Sequence, residues 1–128
     1  MAEPDAIPDN VRRFIMTGID SVPFLEALLQ CYKSPEQIWD ASQMASRLFI
    51  SPKIALQLLK QLALGGFLTH DGGADRFQYQ PSSDEQRRLV EQLNNWYGSN
   101  LIEITNLIHR KTGNIRKFSE AFRFKGDP

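Results

Sequence analysis

Ser51-Pro52 stands between two amphipathic stretches, and Gly65-Gly66 follows the second. This punctuation constrains the fold more than any other feature of the chain. Serine is a good helix N-cap. Proline suits the first helical position, where its missing N–H costs no bond and its fixed φ fits the helix. A helix is therefore predicted from about Pro52 to Leu64. Gly65-Gly66 ends it, because glycine takes the left-handed conformation that helix C-termini favour. Upstream, Ala41, Met44, Ala45 and Leu48 follow i, i+3, i+4, i+7 spacing and predict a shorter helix with Asp40 as its N-cap. Phe49 and Ile50 fall in the tight turn between the two helices, where they are expected to press into the core. In the second helix Ile54, Ala55, Leu58, Leu59 and Leu62 make a broad buried face, and Lys53, Gln57, Lys60 and Gln61 share the opposite stripe.

A hairpin is predicted next. Phe67, Leu68 and Thr69 form one strand and Arg76 to Gln80 the other, joined through His70-Asp71-Gly72-Gly73-Ala74-Asp75. Asp-Gly and Gly-Gly pairs supply the positive φ angles of hairpin turns. Phe77 and Tyr79 alternate with Arg76, Gln78 and Gln80, which gives one apolar and one polar side. Pro81 stops the strand. Ile38-Trp39 is expected to supply a short strand that pairs with this hairpin.

Helical patterns flank the central segment. Val11, Phe14 and Ile15 predict a short helix ending near Gly18. Phe24, Leu25, Leu28, Leu29 and Tyr32 predict another, started by Ser21 or Val22 with Pro23 and closed by Ser34-Pro35. After the hairpin, Ser82 and Glu85 have capping-box spacing. A long helix is predicted toward Arg110, with Leu89, Leu93, Trp96, Tyr97, Leu101, Ile104, Leu107 and Ile108 recurring every three or four residues. Gly98-Ser99-Asn100 is a point at which it can bend or break. A last short helix is predicted over Asn114 to Phe124.

A chain of 128 residues is read as one domain with a sizeable core, preceded by a loose leader over residues 1–10. That leader lacks the basic and apolar segments of a signal peptide. No apolar run approaches the ~20 residues of a membrane span. The single cysteine, Cys31, excludes an internal disulfide, and the compartment is read as cytoplasmic. Formal charge cancels, with Lys+Arg 15 and Asp+Glu 15. The distribution is uneven. Residues 106–128 hold six basic side chains against two acids, and residues 35–80 balance.

The order helix, helix, Ser51-Pro52 turn, helix, Gly65-Gly66-Phe67-Leu68 and hairpin resembles the winged helix-turn-helix superfamily of bacterial transcription regulators. It also resembles small uncharacterised bacterial winged-helix proteins, through Phe14-Ile15, Ile19-Asp20-Ser21-Val22 and Phe122-Arg123-Phe124. The resemblance implies a mainly α fold with a small β-hairpin wing. It assigns residues 11–81 to the winged helix-turn-helix and residues 82–128 to a helical extension that packs on it or forms a dimer seam. It further implies a DNA-binding role with the helix after the turn in the major groove. The matching positions are Ser51, Lys53, Gln57, Lys60 and Gln61, with Arg76 on the wing. The partner is then double-stranded DNA. The alternative is a protein-docking module, favoured by the balanced charge of residues 35–80 and by Asp71 and Asp75 at the wing tip.

Other candidates have simpler explanations. Lys53, Gln57, Lys60 and Gln61 can read bases or phosphates, or serve as a solvated helix face. Arg76 can reach a phosphate, or pair with Asp71 or Asp75. Trp96-Tyr97 can line an effector pocket, but at helical spacing fits core or a dimer seam. His70 and His109 lack partners at metal-ligand spacing. Cys31 is read as a small buried apolar residue. Arg110, Lys111, Arg116 and Lys117 provide a phosphate clamp, or balance the acidic remainder of the chain. No phosphate loop, nucleophile elbow or apolar carboxylate pair is present, so no catalytic residue, metal or cofactor is assigned.

Overall fold

The computed structural model describes residues 7–110. Its elements run α1 (Asp9–Gly18), α2 (Val22–Lys33), β1 (Ile38–Trp39), α3 (Ala41–Leu48), α4 (Pro52–Leu64), β2 (Leu68–Asp71), β3 (Arg76–Tyr79) and α5 (Asp84–Ser99). Residues 101–110 form a further helix, α6. The fold is mainly helical with a small antiparallel sheet, ordered β1-β3-β2. The central strand β3 pairs Trp39 with Phe77 on one side and Leu68 with Tyr79 on the other.

Helix α2 is the spine. Ser21 caps it by accepting a hydrogen bond from the Phe24 N–H at 3.2 Å. Phe24, Leu25, Ala27, Leu28, Leu29 and Cys31 are all buried. A helix buried on so many sides needs neighbours all round, and α2 packs against α3, α4, α5 and β3. One continuous core runs from Ile7 to Ile108. The helical extension therefore shares its core with the helix-turn-helix.

Helix α4 ends in a Schellman motif. The Phe67 N–H donates to the Leu62 carbonyl and the Gly66 N–H to that of Ala63, both at 3.0 Å. Gly66 takes the left-handed conformation this requires, with φ +86°. The following corner is tied to the start of α5. Ser82 Oγ donates to the Gly66 carbonyl at 2.8 Å, and Gln86 Nε2 to that of Gly65 at 2.9 Å.

Several expectations are corrected. Helix α1 begins at Asp9 and Ile7 is already buried, so residues 7–10 belong to the folded part, while residues 1–6 lie outside the described residues. The N-cap of α5 is Ser83, which accepts from the Gln86 N–H at 3.1 Å; the Ser82–Glu85 pair does not cap it. Strand β2 starts at Leu68 and runs to Asp71, which leaves a shorter turn. The long C-terminal helix is two helices, broken within the Gly98-Ser99-Asn100 stretch marked as a possible break. Asn100 ends α5 by donating its backbone N–H to the Trp96 carbonyl, and its own carbonyl accepts from Ile104. Gly98 stays helical. The predicted helix over Asn114 to Phe124 lies outside the described residues.

The Gly66 position yields a prediction. A Cβ there would collide with Ser82 Oγ and force φ +86° on an L-residue. Gly66→Ala is expected to cost about 1–3 kcal/mol, read as a lower urea midpoint with unchanged slope. Burial also pushes the Cys31 thiol up from its ordinary 9.0 to about 12. The folded state thus holds the proton that the unfolded chain releases first. Its stability contribution is intact below pH 9.0 and is lost progressively as pH rises toward about 12. Cys31→Ala should flatten the alkaline fall of stability, measured by denaturation from about pH 8 to about pH 11.

Candidate nucleic-acid interface

Helices α3 and α4 pack on each other across the turn at Phe49-Ile50. A capping box starts α3: Asp40 Oδ1 accepts from the Gln43 N–H at 2.8 Å, and Gln43 Oε1 accepts from the Asp40 N–H at 3.0 Å. The turn, like the end of α4, closes its helix on a left-handed residue. The Ile50 N–H donates to the Ala45 carbonyl at 3.1 Å, and Phe49 holds the left-handed position with φ 58°. Glycine is the usual occupant there. A bulky side chain in that conformation costs roughly 1–2 kcal/mol.

This backbone turns Phe49 away from the core. Its side chain is 94% exposed, against the expectation that the turn buries it. Ile50 is half-buried. Ile54 also departs from the expected buried face and is 44% exposed.

Ser51 Oγ accepts from the Ile54 N–H at 3.2 Å and fixes the start of α4. Ala55, Leu58, Leu59 and Leu62 are buried. Ser51, Lys53, Gln57, Lys60 and Gln61 are all exposed on the same stretch. Helix α4 carries two lysines and no acid. Neither lysine makes an ion pair with another described residue, since the ion pairs among those residues are His70–Asp75 and Arg87–Asp84.

The wing orders its own tip. Asp71 Oδ1 accepts from the Gly73 N–H at 3.2 Å. Asp75 sits at φ 48° and its carboxylate meets His70 Nε2 at 3.0 Å. The His70 ring stacks on Phe77 with centroids 4.2 Å apart. Both tip carboxylates are thus engaged within the hairpin. Arg76 is exposed opposite Asp71 in the strand register, yet forms no ion pair with Asp71 or Asp75. It borders a shallow groove with Ile38, Thr69, His70 and Gln78. The α4 residues form one face, while Arg76 belongs to the separate wing element.

Sequence reasoning missed the surface of α3. Gln43, Ser46 and Arg47 lie beside the turn, with Ser42 next to them. The Arg47 guanidinium lies 5.4 Å from the Trp39 ring centroid and donates to Gln30 Oε1 at 3.0 Å. The sequence does carry a signal for Phe49: it occupies the place after an amphipathic helix where glycine normally stands.

The remaining candidates fall elsewhere. Trp96 and Tyr97 are half-buried against the core. Burial, then Glu26, pushes the Tyr97 hydroxyl above its ordinary range, opposed by a hydrogen bond with Thr105. Among the described residues no three of His, Cys, Asp and Glu stand together as a metal site. Of the basic C-terminal side chains only Arg110 is described, and it is exposed. Lys111, Arg116 and Lys117 lie outside the described residues. No described helix is by itself long and apolar enough to cross a membrane.

Two helices joined by a tight turn, with a β-hairpin after the second, define a winged helix-turn-helix. The chain is similar to a solved structure of this kind, the adhesin competence repressor AdcR from Streptococcus pyogenes. The two share 15% identity and a TM-score of 0.48, over 94% of this chain and 95% of that one. No family model matches, and no curated protein matches. The fold assignment rests on the element order and strand pairing above, and nothing further is drawn from this likeness.

Ser51 has a structural duty that can be separated from any contact it makes. Ser51→Ala should cost about 1 kcal/mol and Ser51→Gly only a few tenths, as read from urea denaturation.

Proposed function

We propose that the protein is a DNA-binding transcriptional regulator that places α4 in the major groove of double-stranded DNA. One observation carries this reading. The outer face of α4 presents Lys53, Gln57, Lys60 and Gln61 with no acid on the helix. Glutamine matches adenine edges, and lysine matches guanine or phosphate. Ser51 stands at the helix N-terminus, where exposed N–H groups favour an anion. Arg76 on the wing is free to meet the adjacent backbone.

Lys53, Lys60 and Arg76 supply few phosphate contacts, so one copy would bind weakly. We therefore take residues 82–128 as the means of self-association. Leu101 and Ile102 at the start of α6 are 51% and 75% exposed, which leaves apolar surface for a second copy. We read the protein as bacterial and cytoplasmic, and as a regulator without catalytic activity of its own.

A second reading is a winged-helix module that docks on protein and not on DNA. Leu64, at the far end of α4, is 88% exposed and favours it. So does the balanced charge of residues 35–80.

Selection of duplexes from a random library at low and physiological salt tests the first reading. Enrichment of a paired half-site is expected, with the spacing set by the dimer. Lys53→Ala and Lys60→Ala should each weaken binding and reduce the salt slope by roughly 0.9. Unchanged binding in both variants would remove α4 as the reading helix. Absence of any enriched sequence would leave the docking module as the better account.

A further inference from the structure

Phe49 and Ile54 stand on either side of Ser51, Pro52 and Lys53, the exposed start of α4. Both are apolar, and both are open to solvent, Phe49 almost completely. Folding does not account for Phe49. The α3 cap is made by backbone N–H groups of residues 49 and 50, not by the ring. The ring contributes little burial, and its left-handed backbone is one that glycine or asparagine fits better. A strained residue kept at an exposed corner points to a contact made outside the chain. The surface around the ring narrows what that contact is. It is lined by Ser42, Gln43, Ser46 and Arg47 on α3 and carries no carboxylate. With Lys53 and Arg47 as its charged groups and no acid among the lining residues, this surface is compatible in charge with a phosphate-bearing partner. The apolar group that base edges expose in the major groove is the C5 methyl of thymine.

We propose that Phe49 and Ile54 form a specificity-determining apolar pair that reads thymine C5-methyl groups. This rests on α4 being the DNA-reading helix. The pair flanks the polar positions Ser51 and Lys53, so the two apolar side chains would bracket the hydrogen-bonding groups along one stretch of groove. The bound sites would then hold thymine at fixed positions. They would discriminate against cytosine and equally against uracil, which differs from thymine only by the methyl.

The test uses the full chain and the duplex enriched from the random library. Thymines in that duplex are replaced singly by deoxyuridine, and binding is compared for the native protein, Phe49→Gly and Phe49→Asn. Both variants should melt at or above the native temperature, because both residues tolerate the left-handed backbone. Both should bind the thymine duplex more weakly, by roughly fourfold or more for each thymine methyl that the ring no longer covers. At one or more positions deoxyuridine should weaken the native protein by a similar factor and leave the variants unaffected. Such non-additivity is the mark of a direct interaction. Equal binding by native and variant proteins would overturn the proposal while leaving α4 as the reading helix. So would a deoxyuridine penalty of the same size in all three proteins. A melting temperature lowered by several degrees in both variants would assign Phe49 to the fold instead. Failure to enrich any duplex would overturn this inference together with the proposed function.

Discussion

The corner after α4 governs the rest of the molecule. Three chain segments meet there: the end of the second helix of the pair, the first residue of the wing and the start of the helical extension. Gly66 supplies the backbone reversal, and Ser82 and Gln86 bind the carbonyls of Gly66 and Gly65 just past the helix end. The Gln80 N–H donates to the Phe67 carbonyl at 2.9 Å, which brings the far end of the wing back to its root. Phe67 is buried at the same point and meets the Phe14 ring of α1 at 5.9 Å. The angle between α4 and the wing is therefore set by hydrogen bonds and packing that also anchor α1 and α5. One continuous core joins α1, α4 and α5 over the described residues.

That arrangement gives α4 two unlike faces. Its inner face is aliphatic and locked into the common core. Its outer face is polar, free of acids and free of ion pairs with other described residues. The wing reaches a comparable result by another route. Its two tip carboxylates are drawn into bonds with Gly73 and His70, and Arg76 is left unbound by either. These bonds hold the two carboxylates in place at the tip without cancelling their charge. A count of charges over residues 35–80 gives zero and does not show where the acids and bases stand.

Much of this is legible from local sequence, where one residue type enforces one backbone state. Ser51-Pro52 and Gly65-Gly66 bound α4, and the alternation from Arg76 to Tyr79 marks a strand with one buried side. The side-chain stripe of α4 follows directly from its period. What local pattern does not reveal is decided by tertiary contact or by cap geometry. Ser82 and Ser83 are equivalent as caps until Gln86 is drawn to the Gly65 carbonyl, which favours Ser83. By propensity Gly98-Ser99-Asn100 is the weak stretch of the last helix. Within it the break falls at Asn100, whose side-chain amide bonds the Trp96 carbonyl at 3.3 Å and competes with helix continuation. Hydrophobicity alone places Phe49 inside, yet the left-handed cap rotates its Cβ outward. The six DNA-contact candidates are legible as polar positions on the outer side of the fold. Their function is a matter of what meets them.

A chain with no net charge that keeps acids off one helix behaves differently from a basic one. Its net charge supplies no long-range attraction to DNA, and fields between exposed charges fade within about 8–10 Å in ordinary salt. Whatever meets α4 must be recognised at contact distance. The three cations Lys53, Lys60 and Arg76 neutralise few phosphates, so these contacts alone hold one copy on a duplex weakly. Two remedies exist in physical terms. One is a second copy, which turns the second binding step into an intramolecular event at high effective concentration. The other is a larger share of binding from shape and apolar contact, which salt does not screen. The exposed apolar residues sit where each remedy would need them: Leu101 and Ile102 on the extension, and Phe49 and Ile54 at the start of α4. Low charge and misplaced hydrophobic surface look like separate anomalies of this chain. They become one design if recognition depends on contact and pairing in place of attraction.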